Sequence, residues 1–260
     1  MNYSTDFQNL VQYCTPEKIF IGYGNPNAKI LIVGKEHAFF NSKTPDNPLF
    51  YHYVYNQRNK DNNENISSWN KNILECIEPN WDNMPEKCVN PLYSHGAQPN
   101  TLNRNNNGGT SHTYLKYQKL YQFIFNEGQK MEHISFQKEF FITELSDIPT
   151  QKSFHDLKLN EIRKGAVKKR IDFFRQPFFD HFSVIIMAAG HYPKLYDFDM
   201  ESIFNVEYKL DESFELGKGN WCNIHYDSGK KKILIHTRQL STNVFDELLR
   251  KMAELIRPFI

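Results

Sequence analysis

The chain is poor in the features that most directly announce a function. Its four cysteines, Cys14, Cys76, Cys88 and Cys222, form no C-x-x-C pair. Scattered thiols in 260 residues read as reduced side chains of a cytoplasmic protein, not as a disulfide framework or a zinc or iron–sulfur centre. Charge is nearly balanced, at +1 formally, which argues against a histone-like electrostatic binder while leaving room for a local basic face. No apolar stretch is long enough to span a bilayer, so no membrane partner is expected. The first residues, "MNYSTDFQNL", lack the basic start and apolar run of a secretory leader. There is no internal repeat and no H-E-x-x-H metal motif.

What the sequence does have is a set of short, strongly apolar runs that end in polar residues. In "KILIVGKEHAFF" (Lys29–Phe40), Ile30–Val33 form a continuous aliphatic run, the pattern of a strand covered on both faces. Gly34 permits a tight turn, and Lys35, Glu36 and His37 follow at the strand's carboxyl end. "EFFITEL" (Glu139–Leu145), "SVIIMAAG" (Ser183–Gly190) and "KILIH" (Lys232–His236) repeat the pattern. Their ends carry Glu144, Gly190-His191-Tyr192 and His236-Thr237-Arg238-Gln239. Helical spacing appears in residues 3–13, in the aromatic stripe of "SHTYLKYQKLYQFIF", in the basic segment "NEIRKGAVKKRIDFFRQPFFDHF" and after Thr242, a candidate cap. The aromatic stripe is read as core packing in preference to a base-stacking platform. "NWCNIHYDSGKKKILIHT" reads as a hairpin turning at Asp227-Ser228-Gly229.

Strands separated by helices predict an α/β fold: three layers, α/β/α, around a central, mainly parallel four-stranded sheet with an edge hairpin. The chain is read as one domain, residues 1–260. An Asn-rich insertion at about residues 41–110 carries a helix near Ser67–Ile77 and is otherwise loop. In a parallel sheet the four polar strand ends converge on one rim, where open α/β sheets bind ligands.

These motifs, in this order from about Phe20 to Ile256, resemble the uracil-DNA glycosylase superfamily. "GNPNAKILIVGKE" is similar to the family's first strand and water-activating loop, "FFITELSDIP" to the strand with the base-reading Asn, and "SVIIMAAGHY" to the strand that follows. "ILIHTRQLS" is similar to the closing His-Pro-Ser-Pro-Leu-Ser motif, keeping His, Leu and Ser. The resemblance implies a uracil-DNA glycosylase-like fold and, without any cofactor, hydrolysis of an N-glycosidic bond in nucleic acid, with DNA as the expected partner. It places Glu36 at the attacking water and cationic sugar, and His236 as donor to the departing base. Leu240 falls at the wedge that fills the gap left by a flipped nucleotide, and Ser241 at a phosphate grip. Gly34, Lys35, His37, Glu144 and His191 complete the base- and substrate-binding set.

Two departures from the family pattern stand out. His37-Ala38 replace the Pro of the first loop, and Glu144 stands where the base-reading Asn is expected. An ionised Glu only accepts hydrogen bonds, so it repels uracil O4 and suits a donor-rich edge such as that of guanine. Uracil is therefore not expected to be the preferred base. Arg163, Lys164, Lys168 and Lys169 on the basic helix, with Arg238, are candidate phosphate contacts; the alternative is a solvated helix face. Two other functions stay open: a non-catalytic nucleotide- or nucleic-acid-binding protein of the same fold, and a metal-dependent hydrolase using Glu36, His37, His191 and His236.

Overall fold

The computed structural model describes residues 3–17, 19–36, 112–129, 135–148, 157–241 and 243–260. His37, Thr242, the insertion and its expected helix lie outside these residues. Helix α1, Thr5–Glu17, begins at Ser4, whose Oγ accepts from the Phe7 N–H, and it runs four residues beyond the expected end. Two residues of extended chain, β1 (Tyr23–Gly24), precede the first core strand, β2 (Ile30–Gly34). Then come α2 (His112–Phe125), β3 (Phe140–Glu144), α3 (Leu157–Phe174) and β4 (Val184–Met187). Two short helices, α4 (Tyr192–Leu195) and α5 (Met200–Phe204), lead into β5 (Glu207–Glu215), β6 (Trp221–Tyr226) and β7 (Ile233–Thr237). Helix α6, Asp246–Ile256, closes the chain.

The seven strands form one sheet in the order β1-β3-β2-β4-β7-β6-β5. Its centre, β3-β2-β4-β7, is parallel throughout. These are the four apolar runs of the sequence, and every residue of each strand is buried. The expected hairpin is the antiparallel β6–β7 pair. Its turn is held by the Asp227 carboxylate, which accepts from the Lys231 and Lys232 N–H groups. Two additions were not foreseen: β1 on one edge and β5 on the other, both antiparallel to their neighbours.

Alternation along the strands builds two cores. Ile30, Ile32, Phe140, Ile142, Ile186 and Ile235 pack with α2 and α6 on one face; the intervening Leu31, Val33, Phe141, Ile185, Met187 and Leu234 pack with α1 and α3 on the other. Tyr114, Tyr117, Leu120 and Ile124 of the aromatic stripe belong to the first core. Cys14 and Cys222 are buried free thiols, pushed up to about 12 by desolvation. Among the described residues no helix is long and apolar enough to cross a membrane.

Strand order sets the position of the site. From β2 the chain steps outward to β3, then returns across β2 to lay down β4 and β7. The direction of winding therefore reverses between β2 and β4. The crossovers diverge there and leave a crevice above the carboxyl ends of the two strands, the place where doubly wound sheets hold ligands.

Candidate functional site

Glu36 stands at this crevice, two residues past β2, and is 8% exposed. Arg163 reaches it from α3, with Nε 3.9 Å from Glu36 Oε2. Arg163 Nη1 also donates to Asn160 Oδ1 and to the Tyr196 hydroxyl, both at 3.2 Å. Burial opposes its charge, but the Tyr196 hydrogen bond and Glu36 outweigh that, and its pKa is raised. Tyr192, the first residue of α4, lies beneath the two charges. Arg163 Cζ sits 5.6 Å from its ring centre and Lys35 Nζ 4.9 Å. Burial, then the Glu36 carboxylate, pushes the Tyr192 phenol up, and its hydroxyl faces Glu36 without a well-formed hydrogen bond. Lys35 is pushed down by burial, with Arg238 and Arg163 acting the same way against Glu36.

The loop after β4 links this cluster to β7. Gly190 adopts φ +58°, and a Cβ there would lie 3.2 Å from Lys35 Cε, so both the turn and the approach of Lys35 favour glycine. On the other side His236 Nε2 lies 2.7 Å from the Gly190 carbonyl oxygen. A carbonyl only accepts, so Nε2 carries the proton and Nδ1 is left as an acceptor. Burial pushes His236 down to about 4, and the ring is neutral at pH 7. The donor that the resemblance assigns to a departing base is thus given to the Gly190 turn.

Glu144 ends β3 directly beside Gly34, and a Cβ on Gly34 would overlap its Oε2. Desolvation, then the neighbouring Glu36, pushes Glu144 up to about 8, against Arg170. At pH 7 it is chiefly the neutral acid, which offers a donor as well as an acceptor. This removes the premise that it only accepts. By alternation Glu144 belongs to the α2 face of the sheet, whereas His236, opposite Met187, belongs to the α3 face.

A cleft of about 650 Å3 adjoins the crevice on that α3 face. Its floor includes Asn223, His225 and His236; Phe198 and Glu201 stand in the wall, and Tyr208 closes the outer side. Asn223 and His236 are directly opposed in the β6–β7 ladder. The Glu201 carboxylate accepts from the Tyr208 N–H at 2.6 Å and faces His225 Nδ1 at 3.2 Å. At the rim, Trp221 lies edge-on to His236 with ring centres 4.9 Å apart, and His191 stacks on Trp221 at 5.9 Å.

The remaining expected site residues divide. Lys35, Glu36 and Gly34 gather with Arg163 at the crevice, and His191 and His236 gather at the rim. Leu240 is fully buried in the core with Val244, Leu248 and Leu249, so it does not project as a wedge. The last helix starts at Asp246 behind Phe245, whose N–H is capped by Asn220 Oδ1; Ser241 therefore precedes the helix and is not at its start. Lys164, Lys168 and Lys169 are exposed on α3, whereas Arg163 is 2% exposed and turned inward. Arg238 donates to the carbonyls of Lys218, Gly219 and Asn243, tying the loop before β6 to the one before α6. Among the described residues no group of three His, Cys, Asp or Glu side chains is placed to hold a metal ion. Asn223, Tyr208 and Trp221 were not singled out in the sequence. Alternation of Trp221, Asn223 and His225, combined with the register of the predicted hairpin, was the signal that places them beside His236.

No family model, curated protein or solved structure matches this chain. The class defined by fold and site is an α/β protein with a charged crevice at the switch point of a mainly parallel sheet.

Proposed function

We propose that the protein hydrolyses an N-glycosidic bond in nucleic acid, releasing a damaged or modified base. The observation that carries this reading is Glu36, a carboxylate held at the sheet's switch point by Arg163, on a sheet whose α3 face also carries a cleft large enough for a nucleoside. The motif resemblance to uracil-DNA glycosylases assigns the same position to the attacking water.

In this reading the base enters the cleft and the sugar lies over the crevice. The glycosidic bond breaks with its electron pair leaving on the base as an anion; the Glu36 carboxylate faces the cationic sugar and orients the water that adds to it, and the proton this water loses neutralises the departed base. Arg163 holds the carboxylate by charge at 3.9 Å, and the Tyr192 ring supports the guanidinium. His236 positions the Gly190 turn between crevice and cleft. Extrusion of the nucleotide from a stack brings the bond within reach, and Lys164, Lys168 and Lys169 lie on the exposed side of α3 for phosphate contact.

The test is base release from oligonucleotides carrying uracil, hypoxanthine, xanthine or alkylated bases. Release from one of them is expected; folded protein that releases none contradicts the reading. One observation favours a second reading, a non-catalytic nucleotide- or nucleic-acid-binding protein. The Glu36 and Arg163 side chains are only 4% and 3% exposed, an enclosed pair that serves structure as readily as catalysis. Binding of an oligonucleotide without turnover is its expected result.

A further inference from the structure

We propose that the cleft beside the crevice is a nucleobase pocket that reads the Watson–Crick edge of guanine, or of a modified guanine that keeps this edge, with Asn223 as the residue that determines specificity. The inference rests on the reading of the site as one for nucleosides, and it deepens that reading by naming the base.

The argument begins with register. Asn223 and His236 are paired across β6 and β7, so their side chains leave the same face of the sheet about 5 Å apart. Both line the cleft. The Asn223 amide makes no hydrogen bond among the described residues, and it presents one donor group and one acceptor. His236 presents an acceptor alone, because its Nε2–H is given to the Gly190 carbonyl at 2.7 Å. With the amide turned so that its oxygen lies next to His236, the two residues offer donor, acceptor, acceptor.

The complementary edge is acceptor, donor, donor. Guanine supplies it through O6, N1–H and N2–H2. The amide of Asn223 donates to O6 and accepts from N1–H, and His236 Nδ1 accepts from the N2 amino group. Uracil and xanthine match the first two positions, but each places a carbonyl oxygen against the Nδ1 lone pair. Hypoxanthine has only C–H there and leaves Nδ1 without a partner. Cytosine, with N4–H2, N3 and O2, reverses the pattern at all three positions. A polar group left unpaired or repelled discriminates among otherwise similar ligands.

The surroundings agree with a donor-rich, flat ligand. Asp197, Asp199 and Glu201 are in the wall with a single lysine, Lys194. That excess of carboxylates suits amino and imino donors and disfavours a phosphate in the cleft itself. Tyr208 and Phe198 give aromatic surface on which a base can lie. Crevice and cleft are linked through the chain: Tyr192, whose ring lies against Arg163, is followed at once by Pro193 and Lys194 of the cleft wall.

The test is calorimetric titration of the full chain with deoxyguanosine, deoxyinosine and deoxyuridine monophosphates, which share sugar and phosphate and differ in the edge. Guanine is expected to bind about tenfold more tightly than hypoxanthine, the effect of one hydrogen bond, and uracil more weakly still. Asn223→Leu, close in volume, is expected to weaken guanine binding at least tenfold with an unchanged melting temperature. Asn223→Ser supplies the same comparison should the leucine variant not fold. Tighter binding of a single guanine on a short single-stranded oligonucleotide identifies nucleic acid as the source of the base; equal affinity identifies a free nucleotide. Equal binding of all three monophosphates, no binding of guanine, or guanine binding unaffected by both substitutions overturns the inference. Guanine binding without base release leaves the inference standing and removes the hydrolase. Release of uracil in preference to every guanine derivative does the reverse.

Discussion

Replacing Glu144 with glutamine tests the electrostatics of the crevice from within. Glu144 is buried beside Glu36, and desolvation raises it from 4.5 to about 8. Glutamine has nearly the shape of the protonated acid but cannot ionise. In the unfolded chain the carboxyl loses its proton near its ordinary value; in the folded protein it keeps the proton until about pH 8. The contribution of the raised group is therefore full below pH 4.5 and is lost as pH rises through the folded value. At about 1.4 kcal/mol per pH unit, the whole displacement corresponds to roughly 5 kcal/mol. His236 acts in the opposite sense. Its pKa falls from 6.5 to about 4 on burial, so its contribution is full above pH 6.5 and is lost as pH falls through 4, on the order of 3 kcal/mol. Wild type alone shows the two effects superposed. Both proteins contain His236, so their difference isolates Glu144. Urea unfolding of wild type and Glu144→Gln from pH 4.5 to 8 should give a stability difference that moves toward the variant by several kcal/mol as pH rises. A difference that does not change with pH refutes the neutral buried acid, and with it the donor capacity of Glu144 at pH 7.

Other substitutions probe neighbouring parts of the account. Arg163→Met leaves Glu36 buried without the guanidinium now 3.9 Å away and should cost about 3–5 kcal/mol; adding Glu36→Gln should recover much of it, as measured by chemical denaturation. Leu240→Ala should cost about 2–5 kcal/mol in the same assay, as expected of a fully buried core leucine, whereas an unchanged stability would restore Leu240 as a surface wedge. Gly190→Ala imposes a left-handed backbone on alanine and presses its methyl toward Lys35. It should lower stability by about 1–2 kcal/mol and shift the titration of His236, followed by NMR, because the Gly190 carbonyl is its partner.

The parallel centre of the fold was legible because it is written in four apolar runs, each followed by a polar end. A strand covered on both faces needs apolar residues at every position, and Ile30–Val33, Phe140–Ile142, Val184–Met187 and Ile233–Ile235 comply. Strand β5 was illegible for the converse reason. "EYKLDESFE" lies on the sheet's edge with no fully buried residue, so its sequence carries the polarity of a loop. The basic helix was misread in one respect. Its composition does not tell which cations face water, and Arg163 and Arg170 turn inward. Arg170 donates to the carbonyls of Phe20 and Glu144 and to Thr143 Oγ1. It does so at the carboxyl edge of β3, where the chain's own acceptors need a donor. In the site, Glu36 and His236 could be placed on one rim from strand ends alone. The tautomer of His236, the protonation of Glu144 and the opposition of Asn223 to His236 depend on partners distant in sequence.

The central claim is that Glu36 acts on the glycosidic bond and does not serve only as Arg163's partner. The most direct measurement compares wild type with Glu36→Gln on the oligonucleotide from which base is released, recording binding and release separately. The account predicts that Glu36→Gln binds this oligonucleotide about as tightly as wild type and releases base at least a hundredfold more slowly, within the loss expected when a charged group facing the transition state is removed. Release by Glu36→Gln at the wild-type rate contradicts it.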